Sequence, residues 1–135
     1  MPIVHLKLAN GDELLARKVD ESRKTISLVD PLEVNSGGED SPSPVYVSPY
    51  LTFSDDHFMK VDRKKILMMY EVNEIARDFY ETSLEFTRGH ILPQIMTGIE
   101  KTTESLDKAL RPPKEEKVET QLSFGFMGKL PSARA

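Results

Sequence analysis

Apolar and polar residues alternate through the first part of the chain and fall at helical spacing through the rest. Ile3, Val4, Leu6 and Leu8 lead into Asn10-Gly11-Asp12, and Leu14, Leu15 and Val19 sit on the return, a strand pair joined at an Asn-Gly turn. Ser22-Arg23-Lys24 is a polar break. Thr25 to Val29 is β-branched and apolar, and Asp30-Pro31 punctuates it before Leu32 and Val34. The pattern predicts strands over 3–9, 12–20 and 24–34. Residues 35–44, "NSGGEDSPSP", form a surface loop without an apolar side chain. Strand character resumes over 45–53, where Pro49 removes one donor and implies a bend or an edge. "SDDH" is a turn, and "FMKV" and "KILMMYEV" read as strands near 58–62 and 65–71, separated by Asp62-Arg63-Lys64.

After Val72 the period changes. Val72, Ile75, Ala76, Phe79 and Phe86 recur at three to four residues, with Asn73 as N-cap and Glu74 at the positive helix end. Gly89 and Pro93 imply a break or kink near His90. A second helical stripe follows through Leu92, Ile95, Ile99, Leu106 and Leu110 (or Ala109), with Thr102 or Thr103 filling the gap, and Arg111-Pro112-Pro113 ends it. A stripe this long must be covered, either by a helical hairpin bent near Gly89-His90 or by helices of neighbouring copies. The organisation is thus a β domain over 1–71, a helical extension over 72–110 and a flexible tail over 111–135. The tail is polar except for "LSFGFMGKL", whose Leu122, Phe124, Phe126, Met127 and Leu130 form a candidate patch for docking a protein partner.

Composition narrows the function classes. The chain of 135 residues has no Cys, which excludes disulfides, thiolate metal sites and Cys nucleophiles. No apolar run reaches the roughly 18 residues of a membrane span, and no basic-then-apolar leader opens the chain, so a cytoplasmic location is expected. The net charge is −4 and no segment is a basic block, so any nucleic-acid binding needs a local patch. No Gly-rich phosphate loop, nucleophile elbow or HExxH occurs, and His5, His57 and His90 are scattered. Asp55-Asp56-His57 is accounted for by a polar turn as well as by a cation. No catalytic residue, metal or cofactor is expected, and the chain reads as a non-enzyme. Tyr46 and Tyr50 could stack on bases, but strand aromatics are more often half-buried core. Met59, Met68 and Met69 read as core filler.

The stretch "LKLANGDELLARKV", with Gly11 in its turn and the small Ala16 five residues later, resembles the first motif of the Sm-like family. "SPYLTFSDDHFMKVDRKKILMMYEV", followed directly by a helix, resembles the Sm-like proteins of tailed phages, particularly cyanophages. The resemblance covers residues 3–71. It implies a strongly bent five-stranded antiparallel sheet or small barrel, here followed by one or two helices, and a homo-oligomeric ring of about five to seven subunits closed by head-to-tail strand pairing. For a phage protein the compartment would be the host cytoplasm. Arg23-Lys24-Thr25-Ile26 stands where the family carries Asp-x-Met-Asn, and Asp62-Arg63 where it carries Arg-Gly, so a uridine site is not implied. In such a ring the turns holding Arg23 and Lys24, and Arg63, Lys64 and Lys65, face the same side of the pore. Repeated in every subunit, these five charges form a candidate RNA or nucleic-acid site. The plainer account is that polar turns carry Lys and Arg as a matter of course, with Asp20, Glu21 and Asp62 alongside. The competing function is a scaffold, with the β-ring as oligomerisation core and the helices and tail recruiting a protein partner.

Overall fold

Two pairs of consecutive apolar residues, Ile3-Val4 and Leu14-Leu15, show how the sheet is used. Successive side chains of a strand point to opposite faces, so such pairs require both faces to be covered locally. The computed structural model describes residues 1–111 and, in backbone only, 130–131 and 133–134. It is a mainly antiparallel β fold followed by a helix. The strands are β1 (Ile3–Leu8), β2 (Glu13–Glu21), β3 (Thr25–Ser36), β4 (Val45–Pro49), β5 (Phe58–Asp62) and β6 (Ile66–Glu71). Their order is β4-β3-β2-β1-β6, with β5 also pairing β3, and among the described residues no ladder joins β5 to β6, so the sheet is not closed.

Each of the six strands read from the sequence pattern forms, one more than the five that the Sm-like resemblance implies. The expected strand over 45–53 stops at Pro49, and the chain leaves the sheet until Phe58. β4 and β5 then pair with successive stretches of the same long β3, Leu32 to Ser36 and Thr25 to Val29 respectively. The Asn-Gly turn forms as expected. Gly11 adopts φ 96°, which a side chain would resist, and the Asn10 carbonyl side chain accepts from the Asp12 amide at 2.9 Å.

The inner face buries Val4, Leu6, Leu8, Leu14, Ala16, Ile26, Leu28 and Val61, with Tyr50, Met59 and Met69 packed against them. The outer face buries Ile3, Leu15 and Leu32 against Val72, Tyr80 and Leu84. Ile26, Leu28 and Leu32 have the same parity, yet Leu32 faces the other way. The pairing explains it: between Leu15↔Leu32 and Arg17↔Val29, β3 advances three residues while β2 advances two. The extra residue is at Asp30, in a left-handed conformation with φ 52°. Ala16, opposite this bulge, is fully buried.

The outer face is covered by α1 (Glu74–Phe86), capped by Asn73, whose side chain accepts from the Ala76 amide at 2.9 Å. The apolar stripe read from the sequence is only in part the face that packs on the sheet. Ile75 is 82% exposed and Phe86 55%, while Tyr80 and Leu84 are buried and Ala76 and Phe79 pack beside them. Spacing alone does not distinguish these faces. The Tyr80 hydroxyl decides between them by donating to the Asp30 carbonyl at 2.7 Å.

The expected break or kink near His90 takes the form of a π-helical segment, Thr87–Ile91, leading into α2 (Leu92–Leu110). Phe86 and Leu92 on either side are both right-handed helical, so the backbone stays helical through the segment. Pro93 provides a reason. It lacks an N–H and its ring crowds the carbonyl four residues back, at Gly89, and a wider turn relieves that contact. The chain divides into two compact units, Met1–Pro93 and Gln94–Ala135. Among the described residues no helix is long and apolar enough to cross a membrane.

Two outcomes follow. Leu84→Ala should lower the unfolding free energy by about 2–5 kcal/mol, whereas Ile75→Ala should stay within about 0.5 kcal/mol; equal effects in denaturant melts would mean that α1 packs by its other face. Burial, outweighing Arg17, raises the Tyr80 pKa well above the usual tyrosine range. A raised folded pKa contributes stability that is present below the unfolded value and lost as pH rises past it. The melting temperature should therefore fall above about pH 10, and Tyr80→Phe should reduce that alkaline loss.

Candidate functional site

The basic residues singled out by sequence fall in two turns that the fold sews together. The first joins β2 to β3. The Ser22 amide donates to the Thr25 carbonyl at 2.8 Å, and the Ser22 hydroxyl oxygen accepts from the Thr25 amide at 3.0 Å. This closes a tight polar turn that exposes Arg23 and Lys24. The second is a single 3-10 turn, Arg63–Lys65, between β5 and β6. The Asp62 carboxylate caps it by accepting from the Lys64 amide at 2.9 Å.

Because Thr25 pairs with Asp62 at the end of the β3–β5 ladder, the two turns lie side by side. Three hydrogen bonds from Arg63 join them. Its amide donates to the Lys24 carbonyl at 2.8 Å, its Nε donates to the Ser22 carbonyl at 2.7 Å, and its guanidinium pairs with the Glu21 carboxylate. Lys18 also pairs with Glu21, at 2.7 Å. The Lys18 ammonium first, and then Arg63, hold the Glu21 carboxyl below the usual carboxylate range. Lys65 reaches the opposite neighbour, its carbonyl accepting from the Ala9 amide at 2.7 Å, so the 3-10 turn bridges the β2–β3 turn and the Asn-Gly turn.

The five cations do come together, but in two roles. Arg63 is occupied as a structural tie. Arg23, Lys24, Lys64 and Lys65 are exposed, and among the described residues none of the four forms an ion pair. The nearby acids are largely engaged: Glu21 by two cations, Asp62 as a cap. Four exposed positive groups at one end of a sheet suit phosphate contacts, which need charge and reach more than shape.

The other candidates fall elsewhere. Tyr46 lies in β4 opposite Asn35 and is 52% exposed. Tyr50 is half-buried against the inner core, and its hydroxyl donates to Asp12 at 2.9 Å. Burial first, and then that bond, raise its pKa. Met59 and Met69 pack on the core, whereas Met68 is exposed on β6. In the Asp55-Asp56-His57 turn, the Asp56 carboxylate accepts from the Ser54 hydroxyl at 2.7 Å and the Phe58 amide at 3.2 Å. Those bonds, the Ser54 one first, lower its pKa. Leu122, Phe124, Phe126 and Met127 lie outside the described residues, as does the side chain of Leu130.

Three features carry little sequence signal. His5, Glu13 and Tyr70 form a relay across β1, β2 and β6, with His5 Nδ1 2.9 Å from the Tyr70 hydroxyl and Nε2 3.0 Å from Glu13. A groove of about 670 Å³ lies between β4 and α1, lined by Val45, Tyr46, Val47, Phe79, Phe86 and Ile91 among others. Asp30 joins Arg17, Tyr80 and Arg88. Only the last has a hint in the sequence, the Asp-Pro step inside an apolar run. Comparison with protein-family models finds no matching family, and comparison with curated proteins finds no matching relative.

Arg63→Ala should speed hydrogen exchange at the residue 63 amide roughly five- to tenfold, the equivalent of about 1 kcal/mol of lost hydrogen bonding. Lys64→Ala should leave it unchanged, because among the described residues the Lys64 side chain forms no tie. Equal rates in the two variants would remove Arg63 from its role as the tie.

Proposed function

We propose that this chain is a non-enzymatic, Sm-like ring protein that holds a nucleic-acid strand, RNA in the first instance, at Arg23, Lys24, Lys64 and Lys65. The observation that carries the reading is the tie through Arg63, which turns two short basic loops into one patch and spends one cation to hold four others in place. Support for the Sm-like part comes from the strand order, in which the last strand pairs with the first and a long bent β3 occupies the other side.

The sheet edges support assembly. β6 pairs β1 along one side and carries exposed Leu67, Met68 and Tyr70, and β5 carries exposed Phe58. Unpaired strand edges with apolar side chains are templates for another strand. Pairing β6 of one copy with β5 of the next satisfies both, and repetition of that head-to-tail contact closes a ring of about five to seven copies. Each added copy brings four more cations to the same end, which raises local positive potential although the chain is acidic overall.

A second reading has its own observation. The apolar groove between β4 and α1 favours a scaffold that recruits a protein partner, with the ring serving only as its core. Salt separates the two, since phosphate contacts release counterions and an apolar groove does not.

The test is binding of a labelled single-stranded RNA by anisotropy, with the assembly mass followed by light scattering. Affinity should fall by at least about tenfold between 50 and 200 mM salt. Lys24→Glu with Lys64→Glu should abolish binding while the mass stays oligomeric. Each neutralised lysine that contacts phosphate should reduce the log–log salt slope by about 0.7. Binding unaffected by both reversals would end the nucleic-acid reading, and a monomeric mass at micromolar concentration would end the ring.

A further inference from the structure

We infer that α2 is a coiled-coil segment that packs in parallel against α2 of other copies of this chain. The residues that need covering are Leu92, Met96, Ile99, Thr103, Leu106 and Leu110, spaced by alternating steps of four and three. That is a repeat of 3.5 residues, the spacing that keeps one seam facing a partner helix along its length. Among the described residues no side chain of α2 is fully buried, Leu92 and Ile95 are half-buried, and Leu106 and Leu110 are 58% and 83% exposed.

The flanking positions select the partner and its direction. On one side of the seam stand Ile95, Thr102 and Ala109, all uncharged. The Thr102 hydroxyl donates to the Gly98 carbonyl at 2.9 Å, so its hydrogen bond is made within the helix and its methyl is left for packing. On the other side stand Pro93, Glu100 and Asp107. In a parallel assembly each acidic flank meets the uncharged flank of its neighbour and no like charges oppose. In an antiparallel pair with aligned ends, the two Glu100 carboxylates meet, which is destabilising. The uncharged flank also widens the apolar face beyond a two-residue seam, which suits a bundle of more than two helices. A second copy of the chain in the same orientation satisfies all of these constraints. The inference uses the helix alone and does not depend on what the basic turns bind.

The chain has no cysteine, so position-specific cross-linking in the full-length protein is a clean test. Leu110→Cys puts a thiol in the seam near the end of the helix, and Lys108→Cys puts one on the outside at nearly the same height. A disulfide needs Cα atoms within about 7 Å, which only parallel seam positions provide. Under mild oxidation Leu110→Cys should form covalent dimer at least about tenfold faster than Lys108→Cys. A ring held by its sheet edges alone, or an antiparallel pairing, would give no such preference, and either result overturns the proposal. A second measurement has the opposite sign: Thr103 is the polar interruption of the seam, so Thr103→Ile should raise the melting temperature and speed the Leu110→Cys cross-link. No shift in either, with the protein folded, would also overturn it.

Discussion

The carboxylate of Asp30 is the point on which the rest of the unit Met1–Pro93 turns. It is only 8% exposed and sits in a left-handed backbone conformation at the bulge of β3. A buried carboxylate is costly unless it is paired and hydrogen-bonded. Here Arg17 on β2 reaches it at 3.4 Å and Arg88 of the π-helical segment pairs with its other oxygen. Asp is among the few residues that tolerate positive φ. The same residue therefore bends the strand, redirects Leu32 to the outer face and holds the helix that covers that face.

Its neighbours extend the constraint. The Asp30 carbonyl accepts from the Tyr80 hydroxyl, and its amide donates to the His57 carbonyl at 2.8 Å. Arg17 also lies over the Tyr80 ring, 5.6 Å from its centre. Sheet, helix α1 and the segment before β5 thus meet at one polar group. Such a node specifies geometry more than it adds stability. Paired charges removed from water gain little net free energy, but removal of one partner leaves the other uncompensated. α1 is fixed in rotation by it, and β5 is delivered to the stretch of β3 that sets Thr25 opposite Asp62. The site at the far end of β3 depends on that register.

At the basic turns the arrangement is the reverse. The polar groups there are exposed, and of the five candidate cations only Arg63 is committed to structure among the described residues. Its planar guanidinium can serve a backbone carbonyl and a carboxylate at once, which a lysine ammonium does less well. The lysines around it keep their reach, a useful property where an irregular polyanion is to be met. The tied framework thus carries exposed charges at its rim.

Sequence by itself determined the elements. The Asn10-Gly11 turn, the strand boundaries to within one or two residues except at the end of β4, the Asn73 cap and the end of α2 near Arg111 all follow from local chemistry that needs no distant partner. It also placed the five basic residues in turns, because turns are solvated and polar. Tertiary structure alone decided the rest. Nothing local distinguishes Ile75 from Leu84 as the buried side of α1; the choice rests on a hydroxyl meeting a carbonyl 50 positions away. Gly89 and Pro93 mark an irregularity but do not say whether the chain turns back or takes a wider turn and continues. Arg63 reads like its neighbours Lys64 and Lys65 until a turn 41 residues away supplies the Ser22 carbonyl for its Nε. Periodicity and propensity depend on near neighbours along the chain. Which cation is a tie and which is free, and which face of a helix is covered, depend on contacts that exist only once the strands are in register.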